Sequence, residues 1–122
     1  MNKKSEEFIE TMLGLLPTTV DKHRKSIEDN GGILETVIIK DVFMPSIIDL
    51  ISEEKNIKLI ERIFNYFEDI SNCQDEHLIS IFSITVLEIL GNDKRTLEIA
   101  QKYMGRKTIQ LQIEADRNIG RI

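Results

Sequence analysis

The sequence predicts an all-α fold of six or seven helices, arranged either as a compact bundle or as a HEAT-like stack of antiparallel hairpins. Glycine and proline are scarce, 6 and 2 in 122 residues, and the glycines fall where helices would stop. Apolar residues recur at helical spacing along almost the whole chain. The alternating runs between hairpin turns that strands would require do not occur. A chain of this length can close one core and bury roughly two-thirds of its unfolded surface, so a single helical domain over residues 1–122 is expected.

Taken in order, Ser5 is placed to cap a first helix ending near Leu16, with Phe8, Ile9, Met12, Leu13 and Leu16 as its apolar stripe. Pro17 breaks it. Thr18, with Asp21 three residues on, opens a second helix that stops at Gly31-Gly32. Only Val20 and Ile27 offer that helix apolar contact, so it belongs on the surface. From Ile33 to Ser52 the residues Leu34, Val37, Ile38, Val42, Phe43, Ile47, Ile48 and Ile51 repeat at helical spacing, interrupted by Pro45. An interior proline costs about 3 kcal/mol, so either one helix kinks or Pro45 lies in the first turn of a second.

Asn56 can cap the next helix, whose stripe is Ile60, Ile63, Phe64, Phe67 and Ile70. The run from Asp75 to Leu90 is apolar nearly all round, the pattern of a helix packed on several sides, and is expected to be the central helix. Gly91 terminates it, and Asn92 or Asp93 can cap a helix to Met104 that Gly105 stops. A last helix from Thr108 has only a thin edge of Ile109, Gln112, Ile113 and Asp116, so it should pack peripherally and fray near Gly120. On this reading the core is organised around the second half of the chain.

The net charge is −5 and unevenly spread: residues 1–92 carry 9 basic and 17 acidic side chains, residues 93–122 carry 7 and 4. An acidic body disfavours nucleic acid, whose phosphates need cations, and favours a basic partner. Cys73 is the only cysteine and the opening MNKKSEEF has no apolar core of a secretory signal, which fits a reducing cytoplasm. The apolar run from Leu78 to Leu90 is cut by Glu88, short of the roughly 20 residues a membrane span needs.

No His-Glu-x-x-His, paired Glu-x-x-His, phosphate loop or dinucleotide fingerprint is present, so no catalytic, cofactor-binding or metal-binding residues are assigned. Cys73, Asp75, Glu76 and His77 are the densest group of possible ligands, but a second Cys/His pair is missing. The charged faces remain. Residues 53–76 hold seven acids against three bases, and Glu61 and Glu68, two helical turns apart, share one face. With Asp69, Asp75 and Glu76, and Tyr66 as an aromatic anchor, they form the candidate partner-binding set. A merely solvated face is the competing interpretation. Lys102, Arg106, Lys107, Arg117 and Arg121 could touch phosphates, although basic residues also stabilise helix C-termini. A homodimer is compatible with the apolar content.

The segment LIERIFNYFEDISNCQDEHLISIFSITVLEILGNDKRTLEIAQKYMGRKT, residues 59–108, resembles a family of small bacterial helical proteins of uncharacterised function, some of them similar to immunity proteins of polymorphic toxin systems. Two helices flanking an acidic junction, the Leu87-Glu88-Ile89-Leu90-Gly91 ending and Tyr103-Met104-Gly105 carry the resemblance. It implies an all-α cytoplasmic protein that binds and blocks a toxin domain, often a basic nuclease, through an acidic surface. The matched pattern defines no binding residues.

Overall fold

A computed structural model describes all residues, 1–122. It contains no strand and seven helices: α1 (Lys3–Leu15), α2 (Val20–Asn30), α3 (35–53), α4 (Ile57–Ser71), α5 (76–90), α6 (Lys94–Gln101) and α7 (Arg106–Asn118). Besides short connections between successive helices, α1 packs on α4, α3 on α6 and α4 on α7. Contacts that skip along the chain around one core describe a bundle. In a solenoid each repeat would touch only its neighbours.

Local chemistry sets the ends. The Asn2 carboxamide oxygen, rather than Ser5, caps α1, accepting from the Ser5 backbone N–H at 2.8 Å. Ser5 itself is buried as a small packing residue, its hydroxyl unpaired. Thr18 makes no capping bond either: Pro17–Thr19 forms a short 3-10 turn, closed by the Thr19 hydroxyl donating to the Leu16 carbonyl at 2.6 Å. Gly31 ends α2 in the left-handed region, φ 69°, where glycine carries no Cβ penalty. Asn56 caps α4, Asp75 caps α5 and Asp93 caps α6.

Pro45 neither splits nor sharply breaks its helix. Residues 39–43, just before it, form a wide turn of π type, and Pro45 lies in the first turn of the regular segment Met44–Glu53 that follows. The wide turn has a packing reason. One extra residue in a turn sets back the helical phase by about 100°, and that realigns the stripe of Ile38, Ile39 and Val42 with the later stripe of Met44, Ile47 and Ile51. The same device recurs at 83–87 in α5, aligning Leu78, Ile81 and Phe82 with Leu87 and Leu90. These two wide turns pack against each other.

The core is one cluster of 26 buried apolar residues, to which every helix except α2 contributes. Phe8, Phe67 and Phe82 meet edge to face at 5.2–6.5 Å, a favoured aromatic geometry. Helix α5 is buried as expected, but not all round, since Ile84 is 51% exposed. Helices α1 and α3 supply 10 core residues, so the core is not concentrated in the second half of the chain. Helix α2 has no buried residue, as its polar sequence implies.

The last helix departs most from expectation. It begins at Arg106 and buries Thr108, Leu111, Gln112, Ala115 and Asp116 against α4 and α5, while Ile113 is exposed. Its end is clamped rather than frayed. The Gln112 amide donates to the Leu87 carbonyl at 2.9 Å, and the Arg121 guanidinium donates to the Glu88 carbonyl at 3.0 Å, to the Asp116 carboxylate at 3.1 Å and to the Asn92 side chain. Arg121 thus serves a carbonyl in the last turn of α5, and Gln112 adds a second bond to the Leu87 carbonyl, which also accepts from the Gly91 N–H at 3.0 Å.

Candidate functional site

Helix α4 supplies most of the expected site, and its amphipathic period decides which carboxylates face outward. Glu61 and Asp69 are exposed, form no ion pair, and lie eight residues apart on the solvent side of the helix, about 80° from each other round its axis. Glu68, only about 20° round the helix from Glu61, is half-buried and turned toward α7. There it accepts from the Lys107 N–H at 3.1 Å, the Thr108 N–H at 2.9 Å and the Thr108 hydroxyl at 2.9 Å. Gly105, the residue before α7, has no side chain with which to cap it, and Glu68 serves as that cap from another helix.

The approach is close enough that a Cβ on Gly105 would meet the Glu68 carboxyl group and push it from its place over the start of α7. Burial works to raise the Glu68 pKa, but the bonds from the Thr108 and Lys107 N–H groups, the Thr108 hydroxyl and Asn72 together outweigh it and hold the carboxyl below its ordinary range. Ser71 completes the junction, its hydroxyl 2.9 Å from that of Thr108. Glu68 is therefore occupied within the fold and does not stand free on the candidate face.

Asp75 is likewise engaged, accepting from the Leu78 N–H at 2.8 Å as the cap of α5. Glu76, next in sequence, is exposed with no ion pair. Tyr66 is half-buried and stacked on Phe8, ring centroids 5.9 Å apart, which makes it part of the α1–α4 seam rather than a projecting anchor. Burial raises its pKa, and the nearby charges of Glu7 and Asp69 add to the shift.

The basic C-terminal quarter is partly consumed inside the molecule. The Lys102 ammonium donates to both Glu54 oxygens at 3.0 Å and the Tyr103 hydroxyl adds a third bond at 2.9 Å. The bond from Lys102, and then that from Tyr103, lower the Glu54 pKa. Arg121 is held in the clamp at the end of α5. Arg106 and Arg117 remain exposed. Cys73 is half-buried, and no three His, Cys, Asp or Glu side chains converge where one ion could be held.

Sequence reasoning missed the Glu68 cap and the Gln112–Asp116–Arg121 clamp. The signal for the first was a helix opening on Gly105 without a capping side chain of its own. It also missed an apolar groove at one end of the α1–α4 seam, lined by Leu15, Leu16, Leu50 and Leu59.

Fold and surface together define a small all-α bundle with unpaired acids on the solvent side of one helix and an apolar groove beside it. The chain belongs to the family described as a domain of unknown function (DUF7674), which matches residues 9–120. No curated protein and no solved structure matches the chain.

Proposed function

We propose that this protein is a non-catalytic, cytoplasmic binding module that holds a basic protein partner against its α1–α4 face, and that it acts as an immunity-type inhibitor of a toxin domain. The observation that carries the reading is the pair Glu61 and Asp69, exposed and unpaired on the solvent side of α4. Carboxylates without internal partners can each meet a cation of a partner, and such complementary contacts steer its approach and raise its on-rate. The resemblance of residues 59–108 to a helical family, some of whose members are similar to immunity proteins, suggests the inhibitor role.

The test is capture of partners on the tagged full chain from its native cells at low and at high salt, beside an E61K/D69K variant. A basic protein retained at low salt, released by high salt and lost from the variant is the expected result. Equal retention by the variant refutes this face. Expressing the captured protein alone and together with this chain then tests inhibition: toxicity that the chain does not relieve refutes the immunity role.

A further inference from the structure

We infer that the groove at the end of the α1–α4 seam is an anchor site for a partner segment in which an apolar side chain is flanked by Lys or Arg. The inference rests on the protein-binding reading and specifies the partner's chemistry. The groove encloses about 380 Å³. Its walls are Leu15 and Leu16 at the end of α1, Leu50 on α3 and Leu59 near the start of α4. Three of these leucines are only half-buried, Leu16 being the exception, so the bundle leaves apolar surface in a concavity. Wells of this kind hold the few anchoring side chains that dominate an interface.

The rim decides the charge of the occupant. Asp49 and Glu53, one helical turn apart on α3, line the groove, and no Lys or Arg does. Asp49 forms no ion pair. Glu53 meets Lys55 at 2.7 Å, with side chains 55% and 71% exposed. An exposed pair of this kind is worth little, so a partner's cation can replace Lys55 at small cost. An acidic segment would be repelled by both carboxylates.

The groove also continues the proposed face. Phe8 stacks on Tyr66 while Leu15 and Leu16 share the groove with Leu59, so α1 and α4 run antiparallel along one seam. Leu59 and Tyr66 are seven residues apart on α4, about 10 Å along the axis. One partner surface of ordinary size covers both.

Selection of a random-peptide library on the immobilised full chain, followed by 15N NMR titration with the enriched synthetic peptides, tests the site. Two variants accompany it. S46F fills the groove from its half-buried wall, and D49K/E53K reverses the rim at two exposed positions. Enriched peptides are expected to pair Leu, Ile, Phe or Met with Lys or Arg and to shift the amides of Leu15, Thr18, Leu50 and Leu59. They should lose about tenfold or more in affinity on each variant, the scale of one good anchor.

Failure to enrich any peptide, enrichment of acidic ones, or unchanged binding by both variants overturns the assignment. Thermal melts establish that the variants fold, and if S46F does not, D49K/E53K decides. The outcomes separate the two proposals. A basic partner captured from cells that binds S46F and D49K/E53K normally leaves the α4 face and removes the groove. Peptide binding in the groove without any cellular basic partner does the reverse.

Discussion

If Glu68 caps α7 rather than facing a partner, replacing it must cost fold stability. In Glu68→Ala the Lys107 and Thr108 N–H groups lose their acceptor and the first turn of α7 loses an anion. Loss of a helix cap costs about 0.5–2 kcal/mol, and loss of a favourable charge at the positive end of the helix about 0.3–1 kcal/mol. The Thr108 hydroxyl, buried at 0% exposure, must then find its acceptor in Ser71 alone, which adds on the order of 1 kcal/mol. Together these give roughly 2–4 kcal/mol for Glu68→Ala, or about 10 °C in Tm for a domain of this size. Glu68→Gln keeps one acceptor oxygen and should lose about half as much.

The pH dependence provides an independent check. The folded carboxyl titrates below its ordinary value of 4.5, so its contribution is complete above that value and disappears as pH falls through the folded pKa. The gap between wild type and Glu68→Gln should therefore be widest near neutral pH and close in acid. Urea denaturation across pH measures it, and hydrogen exchange at Lys107 and Thr108 should speed up in the variant. A loss under about 0.5 kcal/mol, the ordinary range for a surface substitution, or a gap independent of pH, would refute the cap and return Glu68 to the candidate face.

Other expectations follow from the same geometry. Arg121→Ala should cost about 1–2 kcal/mol, because the Glu88 carbonyl loses its side-chain donor and the Asp116 carboxylate keeps only the Gln112 amide. Gly91→Ala places a Cβ 2.7 Å from the Asp116 carboxylate and against the Arg121 guanidinium, so the double variant should lose less than the sum of the two in urea midpoints. Burial lowers the His23 pKa, and its Nδ1 is buried without a partner. Protonation is thus favoured in the unfolded chain, and stability should fall as pH drops below the ordinary value of 6.5. His23→Phe should flatten that slope in Tm-against-pH profiles. Asp75→Ala should cost about 1 kcal/mol as a lost cap, whereas Glu76→Ala, one residue on and exposed, should change the melt by less than about 0.5 kcal/mol.

Helix number and most helix ends were legible because their causes are local. Gly31 stops its helix with the left-handed backbone it supplies, and Asn56 and Asp93 cap with their own side chains. Errors arose where two local candidates compete, as with Asn2 and Ser5, since either could cap α1 by residue type alone. The buried face of α7 was invisible for a different reason. Gln112 and Asp116 count as polar in any hydropathy pattern, and they go inside only because the Leu87 carbonyl and Arg121 meet them there. The wide turns at 39–43 and 83–87 answer a mismatch between successive apolar stripes, which shows only when burial is assigned residue by residue.

Charge is where residue counting and surface diverge most. Of the acids at 61–76, Glu68 and Asp75 terminate helices, and of the C-terminal bases Lys102 and Arg121 are bound internally. What faces solvent on α4 is Glu61 and Asp69, with Lys58 and Arg62 on the same helix, while Asp49 and Glu53 stand at the groove. A partner on the proposed face therefore meets carboxylates at both ends of its footprint and two cations between them. That alternation favours a partner whose own charges alternate in register over one that is uniformly basic, because a cation set opposite Lys58 or Arg62 is repelled. Charge reversal at Lys58 and Arg62 should then broaden, rather than abolish, the set of basic segments this surface accepts.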